Sequence, residues 1–217
     1  MTRLVCFDVD STLLEVESLD FALAERLGPE AREKLEAITN AGMGGTMSLR
    51  TSLAARLDLA RLSRLDVARI AVALQRHLTP GMTDLVANLK ARGDAVAAVS
   101  GGFHDLLRLA LRDLGFAEAM CRTNRFTWDG EAVSGFDASI PLSDNGGKAV
   151  VLRELAAASG ASETVMVGDG ITDLEAHEAG AAQRFIGFGG VVRRARVAER
   201  APEFADTVAD LRAALLP

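Results

Sequence analysis

Three short apolar runs, Leu4 to Val9, Ala95 to Val99 and Thr164 to Val167, set the architecture of this chain. Each is apolar at consecutive positions and too short for a helix, the pattern of a strand buried on both faces of a parallel sheet. Each is also followed by a helix-like pattern, which predicts an α/β fold: a doubly wound, Rossmann-like parallel sheet. The spacing of the runs is uneven. Roughly sixty residues of helical pattern separate the first strand from the second, too many for one crossover helix. An inserted all-α cap after the first strand is therefore expected, over residues 15–78, leaving 1–14 and 79–217 as the α/β core.

Four helices fit this insertion, which begins near Glu15 and ends at the turn Thr79-Pro80-Gly81. The first is expected to stop at Gly28-Pro29, and the loop Ala41 to Gly45 to separate the middle pair. The last opens at Ser63, with Asp66 three residues on in a capping-box arrangement. Beyond the cap, Asn124 to Asp137 reads as a β-hairpin turning at Asp129-Gly130, and Asp206 to Leu216 as a final helix packed on the sheet.

Composition narrows the partners. A formal charge of -6 lacks the basic footprint that nucleic acid or anionic lipid would need, which leaves a small molecule. Cys6 and Cys121 stand far apart with no CxxC, the pattern of two reduced, buried thiols. The opening MTRLVCFDVD is too short in apolar residues for a signal peptide or membrane span, so a cytoplasmic location is expected.

All three strands run into polar residues: Asp8-Val9-Asp10-Ser11-Thr12, Ser100-Gly101-Gly102, and Gly168-Asp169-Gly170-Ile171-Thr172-Asp173. Ligands bind beyond the carboxyl ends of strands in open parallel sheets, so these segments converge on one site. Asp8 and Asp10 share a face for as long as the strand persists, and like charges so close call for a cation or a shared proton. Magnesium fits, because it is held by one or two carboxylates and keeps waters; Asp8 and Asp169 with a nearby backbone carbonyl would suffice. Ser100-Gly101-Gly102, before a helix starting near Phe103, offers backbone N–H groups for phosphate. Lys148 follows Asn145-Gly146-Gly147 at a helix start, and only three of the 24 basic residues are lysines. As a compact point charge it suits phosphate. Taken singly, each segment is weak: a Ser-Gly-Gly turn is usually a connection and a lone lysine usually solvated. His77, His104 and His177 show no ligand spacing, and neither a P-loop nor a G-x-S-x-G elbow occurs.

Together, and in this order, the Asp8 to Thr12 segment, Ser100-Gly101-Gly102, Lys148 and the Gly168 to Asp173 segment resemble the four motifs of the haloacid dehalogenase superfamily. Within it the chain is similar, over nearly its full length, to enzymes that act on O-phosphoserine. That similarity includes Glu17, Met43-Gly44-Gly45, Gly146-Gly147-Lys148 and Ile186-Gly187-Phe188-Gly189-Gly190. Spacing alone does not order Asp8 and Asp10. The resemblance implies that Asp8 is the nucleophile and Asp10 the general acid and later base. It implies that Asp8, Asp10 and Asp169 hold Mg2+, with Asp173 in support. It gives Ser100, Gly101, Lys148 and Thr172 to the phosphoryl group, and Glu17, Met43, Gly44, Leu49, Arg56 and Gly102 to the serine moiety. Leu49 is a departure, standing where similar chains carry phenylalanine over the substrate. The implied reaction is hydrolysis of O-phosphoserine to serine and phosphate, the last step of serine biosynthesis. Phosphoryl transfer to an alcohol such as homoserine, or hydrolysis of another small phosphomonoester, would use the same intermediate. A non-catalytic phosphometabolite sensor is a further alternative, against which the intact acids argue.

Overall fold

The structure, a computed structural model, describes residues 2–24, 26–43 and 46–216. Six parallel strands form the main sheet in the order β3-β2-β1-β6-β7-β8. They are β1 (Arg3–Phe7), β2 (Ala95–Phe103), β3 (Cys121–Asn124), β6 (Glu163–Gly168), β7 (Arg184–Phe188) and β8 (Glu203–Ala205). Alternate residues of each strand feed opposite faces. Val5, Phe7, Val96, Ala98, Val165, Val167, Ile186 and Phe188 point into one core. Leu4, Cys6, Ala97, Val99, Met166 and Phe185 point into the other. The first core is covered by α5 (Met82–Ala91), α6 (His104–Asp113) and α10 (Val208–Leu215), the second by α7 (Gly147–Ser159), α8 (Ile171–Glu178) and α9 (Ala195–Arg200). This is the doubly wound arrangement. Each fully buried Phe, such as Phe7 or Phe185, contributes about 1.5–3 kcal/mol by leaving water.

From β1 the chain winds outward to β2 and β3, then returns to β6 and winds the other way. The direction reverses between β1 and β6, so their carboxyl ends open a crevice at the topological switch point. Asp8 follows β1 and Asp169 follows β6.

Among the described residues, four helices make the insertion: α1 (Ser18–Ala24), α2 (Pro29–Met43), α3 (Leu49–Leu59) and α4 (Arg64–Leu74). The two chain crossings run side by side, with Leu14 bridged antiparallel to Leu78 and the Thr79 N–H donating to the Leu13 carbonyl at 2.9 Å. The capping box at Ser63 and Asp66 is present. The expected end of the first helix at Gly28-Pro29 falls later than the observed one at Ala24; Pro29 instead opens α2, where a missing N–H costs nothing. The hairpin β4 (Phe126–Asp129) and β5 (Ala132–Phe136) props the cap: Ser63 bridges Ala132, and the Arg64 guanidinium lies 4.2 Å from the Trp128 ring centroid.

Further local expectations are corrected. The loop expected over Ala41 to Gly45 begins later, because α2 runs on through Ala41, Gly42 and Met43; Gly44 and Gly45 lie outside the described residues. β2 does not stop at Val99 but runs on through Ser100-Gly101-Gly102, pairing again at Phe103 with Asn124 after a shift of register. Cys6 is buried as expected, but Cys121 is only partly so; both thiols are free, and burial pushes them up to about 12 and about 11. Among the described residues no helix is long and apolar enough to cross a membrane.

Candidate active site

Strand β1 ends at Phe7, and a single wide turn over Val9–Leu13 carries the chain across the crevice. Within it Ser11 takes a positive φ of 53°, unusual for a residue with a side chain, and donates its hydroxyl to Glu17 Oε1 at 2.8 Å. The turn separates the two acids that the strand would have kept on one face. Asp8 points toward β6, whereas the Asp10 carboxylate turns to Ser18, receiving its N–H and its hydroxyl at 3.1 Å each.

Asp8, Asp169 and Asp173 each bring a carboxylate oxygen within 4.8 Å of the others, all buried. Asp173 is reached because the turn Gly168-Asp169-Gly170 leads directly into α8, where Asp173 Oδ2 accepts from the Gly170 N–H at 3.0 Å. Its other oxygen accepts from Lys148 Nζ at 2.5 Å, and Lys148 also meets Asp8 at 2.9 Å. Lys148 is only 8% exposed. Burial alone would lower its pKa, but Asp173 and Asp8 more than reverse this, so the ammonium stays charged. α7 delivers Lys148 here because Gly147 lets its backbone press against the preceding turn: a Cβ there would fall 1.9 Å from the Pro141 carbonyl oxygen.

The acids outnumber the cations. Asp8, Asp10, Glu17, Asp169 and Asp173 meet Lys148 and Arg194 among the described residues, and Arg194 spans the group by donating to Asp169 at 2.7 Å and Glu17 at 3.1 Å. Burial pushes Asp169 up to about 7, with the charge of Asp8 adding to it. Burial, then Glu17 and Asp8, raises Asp10 well above the ordinary carboxylate range, while the Ser18 donors pull it down. Burial likewise raises Asp173 and Glu17. Such a surplus of buried negative charge, with three carboxylate oxygens facing one point, is a donor set suited to a hard cation. The Asp10 carboxylate stands outside that set, turned to Ser18.

Cap and core enclose a cavity over these groups. From the core it is lined by Asp8, Asp10, Ser100, Gly101, Gly102 and Lys148, with Thr172 at the start of α8. From the cap it is lined by Glu17, Leu49 and Arg56. Arg56 is not a solvated helical charge: it is 7% exposed and paired with Asp20 at 3.2 Å, and Asp20 also accepts from Thr39 at 2.7 Å. Leu49 packs toward Gly101 at the mouth, where its N–H donates to Asn145 Oδ1 at 2.9 Å. Gly44 lies outside the described residues, as does the side chain of Met43. The histidines stand apart, His77 edge-on to Phe21, His104 beside Glu118, and His177 on the Ala182 carbonyl.

Sequence reasoning missed several residues at this site. Thr12 donates to Asp169 at 3.1 Å, and Asn124 ties the Gly101 and Leu142 carbonyls together at 2.8 and 3.1 Å. Arg194, Asp20 and Ser18 were missed as well. Thr12 closes the Asp8 to Thr12 motif, which leaves its own role open; Asn124, Arg194 and Asp20 carry no periodic or motif signal, and the one signal for Ser18 is its place directly after Glu17.

Residues 5–178 match the family described as haloacid dehalogenase-like hydrolase. The phosphoserine phosphatase of Bos taurus is 37% identical over 213 residues, covering 97% of this chain and 92% of that protein. Among solved structures, a phosphoserine phosphohydrolase-like protein from Francisella tularensis superposes with a TM-score of 0.90 at 29% identity, over 100% of both chains. A phospho-aspartyl intermediate analogue of phosphoserine phosphatase superposes with a TM-score of 0.82 at 26% identity, over 97% of both chains.

Proposed function

The chain belongs to the haloacid dehalogenase-like hydrolases, and from that premise we propose that it is a magnesium-dependent phosphoserine phosphatase serving serine biosynthesis. One observation carries the substrate. Across a single cavity, an acid cluster with a buried lysine faces a cap that presents one carboxylate, Glu17, and one guanidinium, Arg56. The first set suits a phosphoryl group; the second matches the ammonium and carboxylate of an amino acid. We take 15–78 as the cap and 1–14 with 79–217 as the catalytic core.

In this reading Asp8 attacks phosphorus in line, and Asp10 gives its proton to the departing serine oxygen. Asp10, now a carboxylate, then takes a proton from water, which cleaves the aspartyl-phosphate and frees Asp8. The likeness to a phosphatase captured as a phospho-aspartyl analogue supports a covalent intermediate. Ser100, Gly101 and Thr172 bind the phosphoryl oxygens, and Lys148 balances their charge. Glu17, Met43, Gly44, Leu49, Arg56 and Gly102 surround the serine moiety. Asp8, Asp169 and the Asp10 carbonyl, with Asp173 alongside, would hold magnesium, which when bound would supply positive charge for the phosphoryl oxygens.

A panel of phosphorylated metabolites assayed with magnesium tests the substrate, with O-phosphoserine expected to give the highest kcat/KM and free phosphate as product. A low rank for phosphoserine, or phosphohomoserine formed when homoserine is added, would overturn the assignment. Asp8→Asn is expected to remain folded by circular dichroism and to release no phosphate, since an amide is a poor nucleophile.

A further inference from the structure

Asp10 has both carboxylate oxygens occupied by a single residue. Ser18 donates its backbone N–H to Oδ1 and its hydroxyl to Oδ2, each at 3.1 Å. Ser18 is fully buried at the first position of α1, directly after Glu17. The far side is closed as tightly. A methyl group at Gly102 would lie 3.1 Å from Asp10 Oδ2, 3.1 Å from Ser18 Oγ and 2.8 Å from Leu107 Cδ1, so the pair fills a slot between the end of β2 and α6. Two donors on two oxygens fix the plane of the carboxyl group as well as its position.

We propose that Ser18 is the positioning residue that aims Asp10 at the oxygen of the departing alcohol. This rests on the function proposed above, in which Asp10 is the general acid. In the first step the Asp8–phosphorus bond forms, the bond from phosphorus to the alcohol oxygen breaks, and the Asp10 proton passes to that oxygen. The carboxylate left on Asp10 is then held by the two Ser18 donors. In the second step it receives a proton from the attacking water as the Asp8–phosphorus bond breaks. A misaimed Asp10 fails first where the leaving group most needs a proton. The alkoxide of a serine or glycerol ester leaves poorly without one, whereas p-nitrophenolate leaves unaided.

The test compares kcat/KM, which covers the steps up to departure of the alcohol, on three substrates: O-phosphoserine, β-glycerophosphate and p-nitrophenyl phosphate. Losing a hydrogen bond to a charged group predicts that Ser18→Ala falls roughly tenfold or more on both alkyl esters and less than about threefold on the aryl ester. β-Glycerophosphate lacks the groups that Glu17 and Arg56 would meet, so a loss there reports on the acid and not on recognition of the amino acid. Ser18→Cys keeps the volume with a weak donor, is expected to show the same split, and carries the test if Ser18→Ala does not fold. Equal losses on all three substrates would make Ser18 a structural staple between cap and core; no loss would remove it from the reaction. Either result overturns the proposal. Failure of the wild-type enzyme on phosphoserine alone would overturn the substrate assignment instead, and the two other esters would still decide the role of Ser18.

Discussion

Arg56 carries its charge where water screens it poorly, and only Asp20 holds it there by a charged contact among the described residues. Truncating one partner of a desolvated charge pair costs about 2–5 kcal/mol, so Arg56→Ala should lower kcat/KM for phosphoserine roughly 30-fold or more. An aryl phosphate without a carboxylate should lose far less, and a ratio of the two losses near one would remove Arg56 from recognition. Asp20 is separable from it. With Thr39 donating to its other oxygen, Asp20 orients the guanidinium from behind, so Asp20→Ala should raise KM for phosphoserine roughly tenfold while leaving kcat within about threefold. A fall confined to kcat would show that Asp20 acts elsewhere.

Helix starts carry much of the placement at the level of elements. α4 begins where the Ser63 hydroxyl accepts from the Asp66 N–H at 3.1 Å and the Asp66 carboxylate accepts from the Ser63 N–H at 2.8 Å. Ser63→Ala removes one half of that box and is expected to cost about 1 kcal/mol, read as a lower urea midpoint with an unchanged slope. α7 begins differently, by close approach. Gly147→Ala would drive a methyl into the Pro141 carbonyl, so the helix must shift and carry Lys148 with it. Overpacking of this kind costs about 1–3 kcal/mol, and the variant should lose activity even where it remains folded. A Gly147→Ala enzyme with wild-type kcat would show that the turn yields without moving the lysine.

The whole molecule is a clasp around charge. The cap meets the core at the mouth through Leu49 on Asn145 and Arg50 on Asp144, and beneath them the acids outnumber the cations. A cation that binds the folded chain alone raises its stability by mass action, about 2.7 kcal/mol at a concentration one hundred times its dissociation constant. Magnesium should therefore raise the melting temperature relative to chelator, and chelator should abolish turnover without unfolding the chain. Calcium, with longer bonds and more ligands, should stabilise the fold yet support activity poorly. An unchanged melting temperature across a magnesium titration would mean that the carboxylates hold no ion.

β1, β2, β6, the inserted helices, the Ser63 cap and the Asp129-Gly130 hairpin are legible in the chain, because burial on two faces, helical period and turn chemistry are local properties written into neighbouring residues. β3, β7 and β8 are not: β3 is short and polar, Gly187 interrupts the apolar run of β7, and the three residues of β8 cannot show a period; β2 reads short because its bulge hides Ser100 to Gly102 among loop-forming residues. Asp8, Lys148 and Asp169 were reached through motifs. Thr12 and Arg194 were not placed against them, because the contact between Thr12 and Asp169 spans 157 residues, and the one between Arg194 and Glu17 spans 177. Only the folded sheet decides which distant side chains share a crevice. It also decided the parting of Asp8 from Asp10: two residues apart in an ideal strand, they face different partners because β1 ends at Phe7 and the turn that begins at Val9 swings Asp10 away.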